Sequence, residues 1–390
     1  MANLPPQILR VSKYCMVVAG TWRLSLASRH EVLQKIYSLY SACARAYFPI
    51  MLTSMCLQTV REKSTKSTEE MFRILSYIIL LFIVQIASLM CQTGKFQKVL
   101  VRVASEERSI LNSCDWNLLR FHSRRAQFCR TFNLNILFST SGAVVCIILE
   151  NWFLRRSIDR HNVLYNESQD KPFAIGLYSH SLDRERHATL LVAINDLCLC
   201  MNTFAVVSTK IVFISCMIFA PSMLKKLQIE FSKLNHRDSD VVSCLKMLVV
   251  DHQEVVGFVE TMNGSVKYLI LLEYLLNSLN FAVVSLQFIS FETKLLPSPI
   301  LFFYTLLVQT FVLGWSANEI QVQSLAIADA LYESLWYEYT ERAKKMLLIM
   351  MMRAQKPLAL TIGPFDAMKT GSALAIMKAS YSYVTVMIDG

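Results

Sequence analysis

The sequence predicts an all-α membrane protein: seven transmembrane helices with cytosolic helical extensions, the N-terminus inside and the C-terminus outside. Only 17% of the 390 residues are charged and 54% are hydrophobic, where a soluble domain carries roughly 25% charged residues. The deficit has a location. Charge-free tracts run Ile74–Gly94, Thr131–Leu149, Tyr274–Phe291 and Leu295–Asn318, each near the ~20 residues with which a helix crosses a ~30 Å hydrocarbon layer. A soluble core helix has no reason to be apolar on every face. The tracts lack the alternation of a membrane β-barrel, and a helix satisfies its own backbone in lipid.

Three further spans carry isolated charges: Val32–Gln58 with Arg45 inside it and Lys35 at its start, Leu190–Leu224 with Asp196 and Lys210, and Ala367–Ile388 with Lys369 and Lys378. Seven spans put the termini on opposite sides. With the N-terminus in the cytoplasm, the inside segments hold 22 Lys and Arg residues and the outside ones 10, the asymmetry expected of cytoplasmic loops. Arg120, Arg124, Arg125 and Arg130, beside the third span, are its strongest part. The sequon at Asn166 then lies in an outside loop, where glycosylation is expected. A second sequon at Asn263 lies inside and stays unmodified. The 153–189 loop contains none of the 11 cysteines, so reduced thiols are expected rather than an extracellular disulfide framework. The run Tyr14–Trp22 is short, contains Gly20 and precedes Arg23, so it does not read as a cleavable signal peptide. The net charge of +10 faces anionic membrane lipid, and nucleic acid is not an expected partner.

Along the chain, residues 1–30 read as an amphipathic cytoplasmic arm against the membrane. Residues 31–320 hold spans one to six, 321–366 cytosolic anchor helices, and 367–390 the last span. Apolar residues keep helical spacing beyond membrane length over Lys225–Asn235, Ser243–Thr261 and Ile320–Leu335. A helix over Glu341–Gln355 places Met346, Leu347, Met350 and Met351 on one side, an adaptable apolar surface suited to joining subunits. Glu106-Glu107 reads as a solvated face in a mixed-charge loop.

Signatures of an enzyme are not found: the sequence holds no HExxH, Walker loop, GxSxG or paired-Cys metal site. The seven histidines are scattered, so neither a metal nor a cofactor is expected. Charges inside spans are informative, because each must face protein or water. Arg45, Asp196, Lys210 and Glu273 therefore orient a ligand or form structural pairs. In the last span, Gly371, Ala375, Lys378, Ser382, Thr385 and Asp389 recur every three or four residues and share one helical face. Such a stripe suits a water-filled cation pathway or, equally, close helix packing.

A set of short motifs fills roughly residues 310–389 in order: Gly314-Trp315 with Asn318-Glu319, Leu331-Tyr332, Leu335-Trp336-Tyr337, Lys345-Met346-Leu347-Leu348, Met351 through Pro357, Leu360-Thr361-Ile362-Gly363, and Ser380 through Thr385. In these the C-terminal quarter resembles the insect odorant receptor family, and Ala19-Gly20-Thr21-Trp22 is similar to its N-terminal pattern. The resemblance implies an odorant-tuned subunit of a tetrameric non-selective cation channel, shared with a common co-receptor, in the plasma membrane of olfactory sensory neurons. It implies an odorant held in the outer half of the bundle and a pore lined by the last helix, here Ser382, Thr385, Val386, Asp389 and Gly390. An acidic Asp389 departs from the apolar or amide groups common there. Alternatives are a seven-helix receptor coupled to a cytosolic transducer, a gustatory-type chemoreceptor and a transporter. The first would carry a DRY-like triplet and NPxxY and the second TYxxxxxQF, and the third would show paired broken spans in two halves.

A volatile ligand needs an apolar cavity with one or two orienting groups. The outer halves of the second, third, fourth and sixth spans offer Phe72 and Tyr77; Val145, Ile148 and Trp152; Ile194, Asn195, Cys198 and Asn202; and Phe302, Tyr304 and Thr305.

Overall fold

The computed structural model describes residues 8–22, 31–62, 68–165, 188–234, 241–289 and 297–389. These are almost wholly helical: α1 Arg10–Val18, α2 Glu31–Glu62, α3 Thr68–Cys91, α4 Gly94–Asn112, α5 Trp116–Tyr165, α6 Ala188–Ser232, α7 Val241–Ile289, α8 Pro297–Glu333, a single 3-10 turn Trp336–Glu338, α9 Glu341–Ala354 and α10 Thr370–Asp389. No β-strand occurs among the described residues; Thr361 and Ala367 form an isolated bridge. Helices α2, α3, α5, α6, α7, α8 and α10 coincide with the seven predicted spans. By length and composition, α5, α6, α7 and α8 each suffice to cross a membrane. Several of these helices outrun the bilayer, as the spacing beyond spans four, five and six predicts.

Helix α6 is the central post. Every residue from Ile211 to Leu224 except Phe213 is buried. Lipid is as apolar as leucine, so association here rests on close contact and hydrogen bonds. Ser208, Ser215 and Ser222 repeat at two-turn intervals along α6 and are fully buried. Ser208 donates to the carbonyl of Cys15 (3.3 Å), Ser215 accepts from Asn133 Nδ2 (3.2 Å), and Ser222 meets His122 (3.5 Å). The α6 serines thus register α1 and α5.

Two expectations change below the membrane. The segment between the second and third spans is not a loop but contains α4, capped at Thr93, whose hydroxyl accepts from Phe96 N. Glu107 is not solvated. It is fully buried on the face that carries Phe96, Val99, Leu100, Val103 and Ile110, accepting from Ile8 N (3.0 Å) and contacting His122 Nε2 (3.2 Å). A buried carboxylate is tolerated when it is hydrogen-bonded in this way. Glu106, one step round the helix, bridges Arg102 (3.0 Å) and Lys226 (3.5 Å). The N-terminal arm likewise sends Ile8, Leu9, Met16 and Trp22 into the main core, so over 8–22 it packs on α6 and α5.

Helix α9 starts at Thr340, whose hydroxyl accepts from Ala343 N, and turns Ala343, Leu347, Met350 and Ala354 into the protomer's own core. The chain between α9 and α10 is tied down on both sides. Leu358 N donates to Ser324 Oγ (3.0 Å), Thr361 N to Asn263 Oδ1 (2.9 Å), Gly363 N to the Lys267 carbonyl (2.9 Å), and Gln321 Nε2 to the Met368 carbonyl (3.2 Å). Asn263 is committed to this clamp. Helix α10 then crosses α8 at Gly314, where an added Cβ would sit 2.9 Å from the Lys369 carbonyl. Gly314→Ala therefore separates α8 from the base of α10, at a cost of about 1–3 kcal/mol for overpacking. The expected result is a lowered thermal unfolding temperature of the purified protein; an unchanged one would disprove the close approach.

Candidate functional site

Inside the bundle, Lys210 on α6 reaches Glu273 on α7 (2.7 Å) and Gln309 on α8 (3.3 Å). Neither charge is solvated, for the side chains are only 14% and 20% exposed. The expectation that in-membrane charges face protein is met here by an ion pair. Two narrow clefts, each of about 30 Å³, adjoin the pair. Lys210, Phe213, Leu269 and Glu273 form their shared wall. Nearby, Asn277 Nδ2 donates to Thr310 Oγ1 (3.2 Å) and ties α7 to α8.

None of the predicted ligand-lining residues lines these clefts, which lie on α3, α6, α7 and α8 below them. The predicted set divides instead. Ile148 packs against a cluster of Met51, Leu81, Val144, Cys198 and Leu199. Asn195, Cys198, Asn202 and Thr305 are buried, and Thr305 donates to Ser139 Oγ on α5 (3.0 Å). Val145, Trp152, Ile194, Phe302 and Tyr304 lie on exposed helix faces. Trp152 stacks edge-on with Phe153 beneath the Arg156 guanidinium, and Tyr304 bonds Asn135 (3.1 Å). The side chains of Phe72 and Tyr77, like that of Arg45, lie outside the described residues, as does Asn166. Asp196 interacts electrostatically with Arg155 at the outer end. Sequence reasoning missed Glu150, whose carboxylate accepts from both Ser298 N (3.1 Å) and Ser298 Oγ (2.5 Å) and so caps α8 from α5.

On α10, Ala373, Ile376 and Ser380 face α7 and α8, while Gly371, Leu374, Ala375, Lys378, Tyr381 and Ser382 are exposed. Thr385 is half-buried and donates to the Ser382 carbonyl (2.9 Å). Four of the six stripe positions, Gly371, Ala375, Lys378 and Ser382, thus lie exposed on the protomer surface. The side chains of Val386 and Asp389, and Gly390, lie outside the described residues.

Residues 67–381 match the family described as 7tm odorant receptor. The chain belongs to that family. Odorant receptor 10 of Aedes albopictus is 27% identical over 183 residues, covering 45% of this chain and 48% of that protein. Or2 of Anopheles gambiae is 27% identical over 188 residues, covering 45% and 49%. The receptor thus spans about half the length of these curated relatives in alignment. Odorant receptor 30a of Drosophila melanogaster is 24% identical over 289 residues, covering 68% and 75%. The solved olfactory receptor OR5 of Machilis hrabei, alone and in complex with eugenol, shares the fold with TM-scores of 0.79 and 0.80 at 15% identity. Each match covers 97% of OR5, and they cover 97% and 98% of this chain.

The motif residues that carry the family resemblance have visible work in the receptor. Gly314 admits α10. Glu319 on α8 holds Arg125 of α5 (2.5 Å) and accepts from Gln323 (2.9 Å), and Gln323 receives Gln228 of α6 (3.1 Å). Arg125 also lies over the rings of Phe121 and Trp315. Burial pulls the Arg125 guanidinium below its usual pKa range and Glu319 opposes that shift. This relay ties α5, α8 and α6 where they leave the membrane.

Removing one member of a buried ion pair strands the other charge and costs about 3–5 kcal/mol, whereas replacing both is far milder. Lys210→Met should therefore sharply reduce the yield of folded receptor, and Lys210→Met with Glu273→Met should restore most of it. Size-exclusion profiles of the three variants check this. A double variant no better than the single one would mean the pair is not the reason for the loss.

Proposed function

We propose that this odorant receptor is the ligand-tuned subunit of a non-selective cation channel. It assembles with a shared co-receptor, as a tetramer, in the plasma membrane of olfactory sensory neurons, N-terminus inside. The observation that carries the reading is the exposed polar face of α10. A membrane-length helix presents Gly371, Ala375, Lys378 and Ser382 away from its own protomer, and a charged side chain at mid-bilayer costs about 2.5–3.5 kcal/mol even on insertion scales. Water in a pathway shared between subunits relieves that cost. The ligand is a small organic molecule, by likeness to OR5 and its eugenol complex. Coupling to a cytosolic transducer is the competing reading. Odorant-evoked current that requires the co-receptor and survives blockade of G-protein signalling supports the channel; current lost on blockade supports the transducer.

The ligand pocket is assigned to the buried part of the predicted lining, Asn195, Cys198, Asn202 and Thr305, with the half-buried Ile148 beside it. Deleting a buried methylene changes binding by about 0.8 kcal/mol. Ile148→Ala should thus reorder the receptor's odorant ranking, while Trp152→Ala, on an exposed face, should leave it intact. Dose–response curves across an odorant panel decide the matter, and an unaltered ranking for Ile148→Ala moves the pocket elsewhere.

Subunit joining falls to the outward side of α9. Met350 and Leu347 are consumed by the protomer's own core, so the free apolar surface is Leu348, Ile349 and Met352, at 59%, 68% and 63% exposure. Ile349→Asp with Met352→Asp should abolish co-purification with the co-receptor and leave the monomer folded. Undiminished co-purification would place the interface on another face.

A further inference from the structure

The outward face of α1 is cationic at its start and apolar beyond. Arg10, Lys13, Tyr14 and Val18 are exposed and Val17 is half-buried, so the five follow one side of the helix at spacings of three and four. Ser12, Cys15 and Met16 fill the opposite, buried side.

Hydrogen bonds fix the depth of this face. Cys129 Sγ meets the Ile8 carbonyl (3.9 Å) and Ser215 Oγ (3.4 Å), and Ser208 donates to the Cys15 carbonyl (3.3 Å). Ile8 to Cys15 and Ser215 to Ser208 are equal steps along the chain, each about 10 Å at helical rise, so α1 runs upright along α6. Its lower end is level with Cys129, just below the charge-free tract that begins at Thr131. By the same rise Arg10 stands about 3 Å and Lys13 about 8 Å above Ile8, with Tyr14, Val17 and Val18 deeper still. Both cations thus face outward at the edge of the hydrocarbon layer, from which long basic side chains turn back to the headgroups.

The arm does not supply their counterion. Residues 1–30 hold Arg10, Lys13, Arg23 and Arg29 and no Asp or Glu. Glu107, the carboxylate that the arm meets, is fully buried and engaged by Ile8 N and His122. Among the described residues neither Arg10 nor Lys13 forms an ion pair; Lys13 instead lies over the Trp22 ring, 5.9 Å from its centre. At this depth the anion within reach is a lipid phosphate. Side chains three residues apart on a helix are neighbours, so the two cations can share one phosphate. Tyr14 then sits where interfacial aromatic residues sit. A zwitterionic headgroup offsets its phosphate with a cation of its own, whereas an anionic one leaves net negative charge for the arm.

We propose that the outward face of α1 binds an anionic phospholipid, its phosphate between Arg10 and Lys13 and an acyl chain along Tyr14, Val17 and Val18. On the orientation proposed above this is a lipid of the inner leaflet, whose surface is negative. It clamps from outside the helix that Glu107 and Ser208 hold from inside. The site does not depend on channel function, and nanodiscs with identical leaflets test it whichever way the receptor faces.

Full-length receptor is placed in nanodiscs of phosphatidylcholine alone or mixed with phosphatidylglycerol, and amide hydrogen exchange is followed by mass spectrometry. In the mixed discs the α1 amides should exchange more slowly, by about fivefold for each engaged cation. Arg10→Gln with Lys13→Gln should abolish that difference. Arg120→Gln with Arg124→Gln, farther down α5, should leave it. Equal exchange of α1 in both discs would overturn the proposal, as would a lipid dependence that survives in the double variant at Arg10 and Lys13. Should that variant fail to fold, the unaltered receptor is irradiated with phosphatidylglycerol bearing a diazirine high on one acyl chain. Adducts on Tyr14, Val17 or Val18 that excess phosphatidylglycerol removes and phosphatidylcholine does not support the site. Adducts that both lipids remove alike, or none on α1, overturn it.

Discussion

Helix α6 is enclosed over the stretch where most of the bundle meets, and the positions of α1, α5, α7 and α8 follow from what its surface offers. Lipid gives no hydrophobic reward for bringing helices together, so small residues and hydrogen bonds must set their places. The three α6 serines provide both. Each hydroxyl is small enough to admit a neighbour and polar enough to demand one, and they fall on the side that α1 and α5 occupy. On another side Lys210 makes the same demand more forcefully. A charge in hydrocarbon must find a partner, and Glu273 and Gln309 bring α7 and α8 to it. One helix thus fixes four others through a few polar atoms in an apolar surface.

The same economy explains Glu107. A fully buried carboxylate would destabilise α4, except that it accepts from the backbone N–H of Ile8 and contacts His122. It fastens the N-terminal arm to the base of α5. The arm is short, and its apolar residues would bring little stability if they rested on lipid headgroups. Held by Glu107 and by Ser208, they complete the core below the membrane instead.

How much of this was legible depends on whether partners are close in sequence. The spans were legible, because a run such as Tyr274–Phe291 without charge has one economical structure. The extensions of α6, α7 and α8 were legible from apolar spacing that outlasts the bilayer. Glu107 was not. Its spacing from Val103 and Ile110 puts it on the apolar face, but its partners stand 99 and 15 residues away, and only the tertiary fold brings them there. Lys210 and Glu273 could be recognised as charges needing partners, though not as partners of each other. The predicted pocket residues divide by the helix face they occupy. On α5, Val144, Ile147 and Ile148 turn inward while Val145 and Trp152 turn out. A helix apolar all round gives no sequence signal to say which face the protein takes and which the lipid takes. The same ambiguity affected α9, where Met350 and Ile349 read alike until one is seen in the core.

The base of α10 is the most constrained part of the C-terminal quarter. Asn263 and Lys267 of α7 hold the connecting strap from one side, Ser324 and Gln321 of α8 hold it from the other, and Gly314 lets α8 bear directly on Lys369. Above that point α10 touches its protomer along one face only, through Ala373, Ile376 and Ser380. Under the proposed channel function, displacement of α10 on ligand binding has its fixed point at the Gly314–Lys369 crossing and its largest amplitude at the outer end, where Ser382 and Thr385 lie. The helices that would carry the signal are α7 and α8, since they alone pack along α10 among the described elements. They are also the helices joined to α6 by the Lys210 pair, so the buried charges and the free polar stripe belong to one mechanical unit.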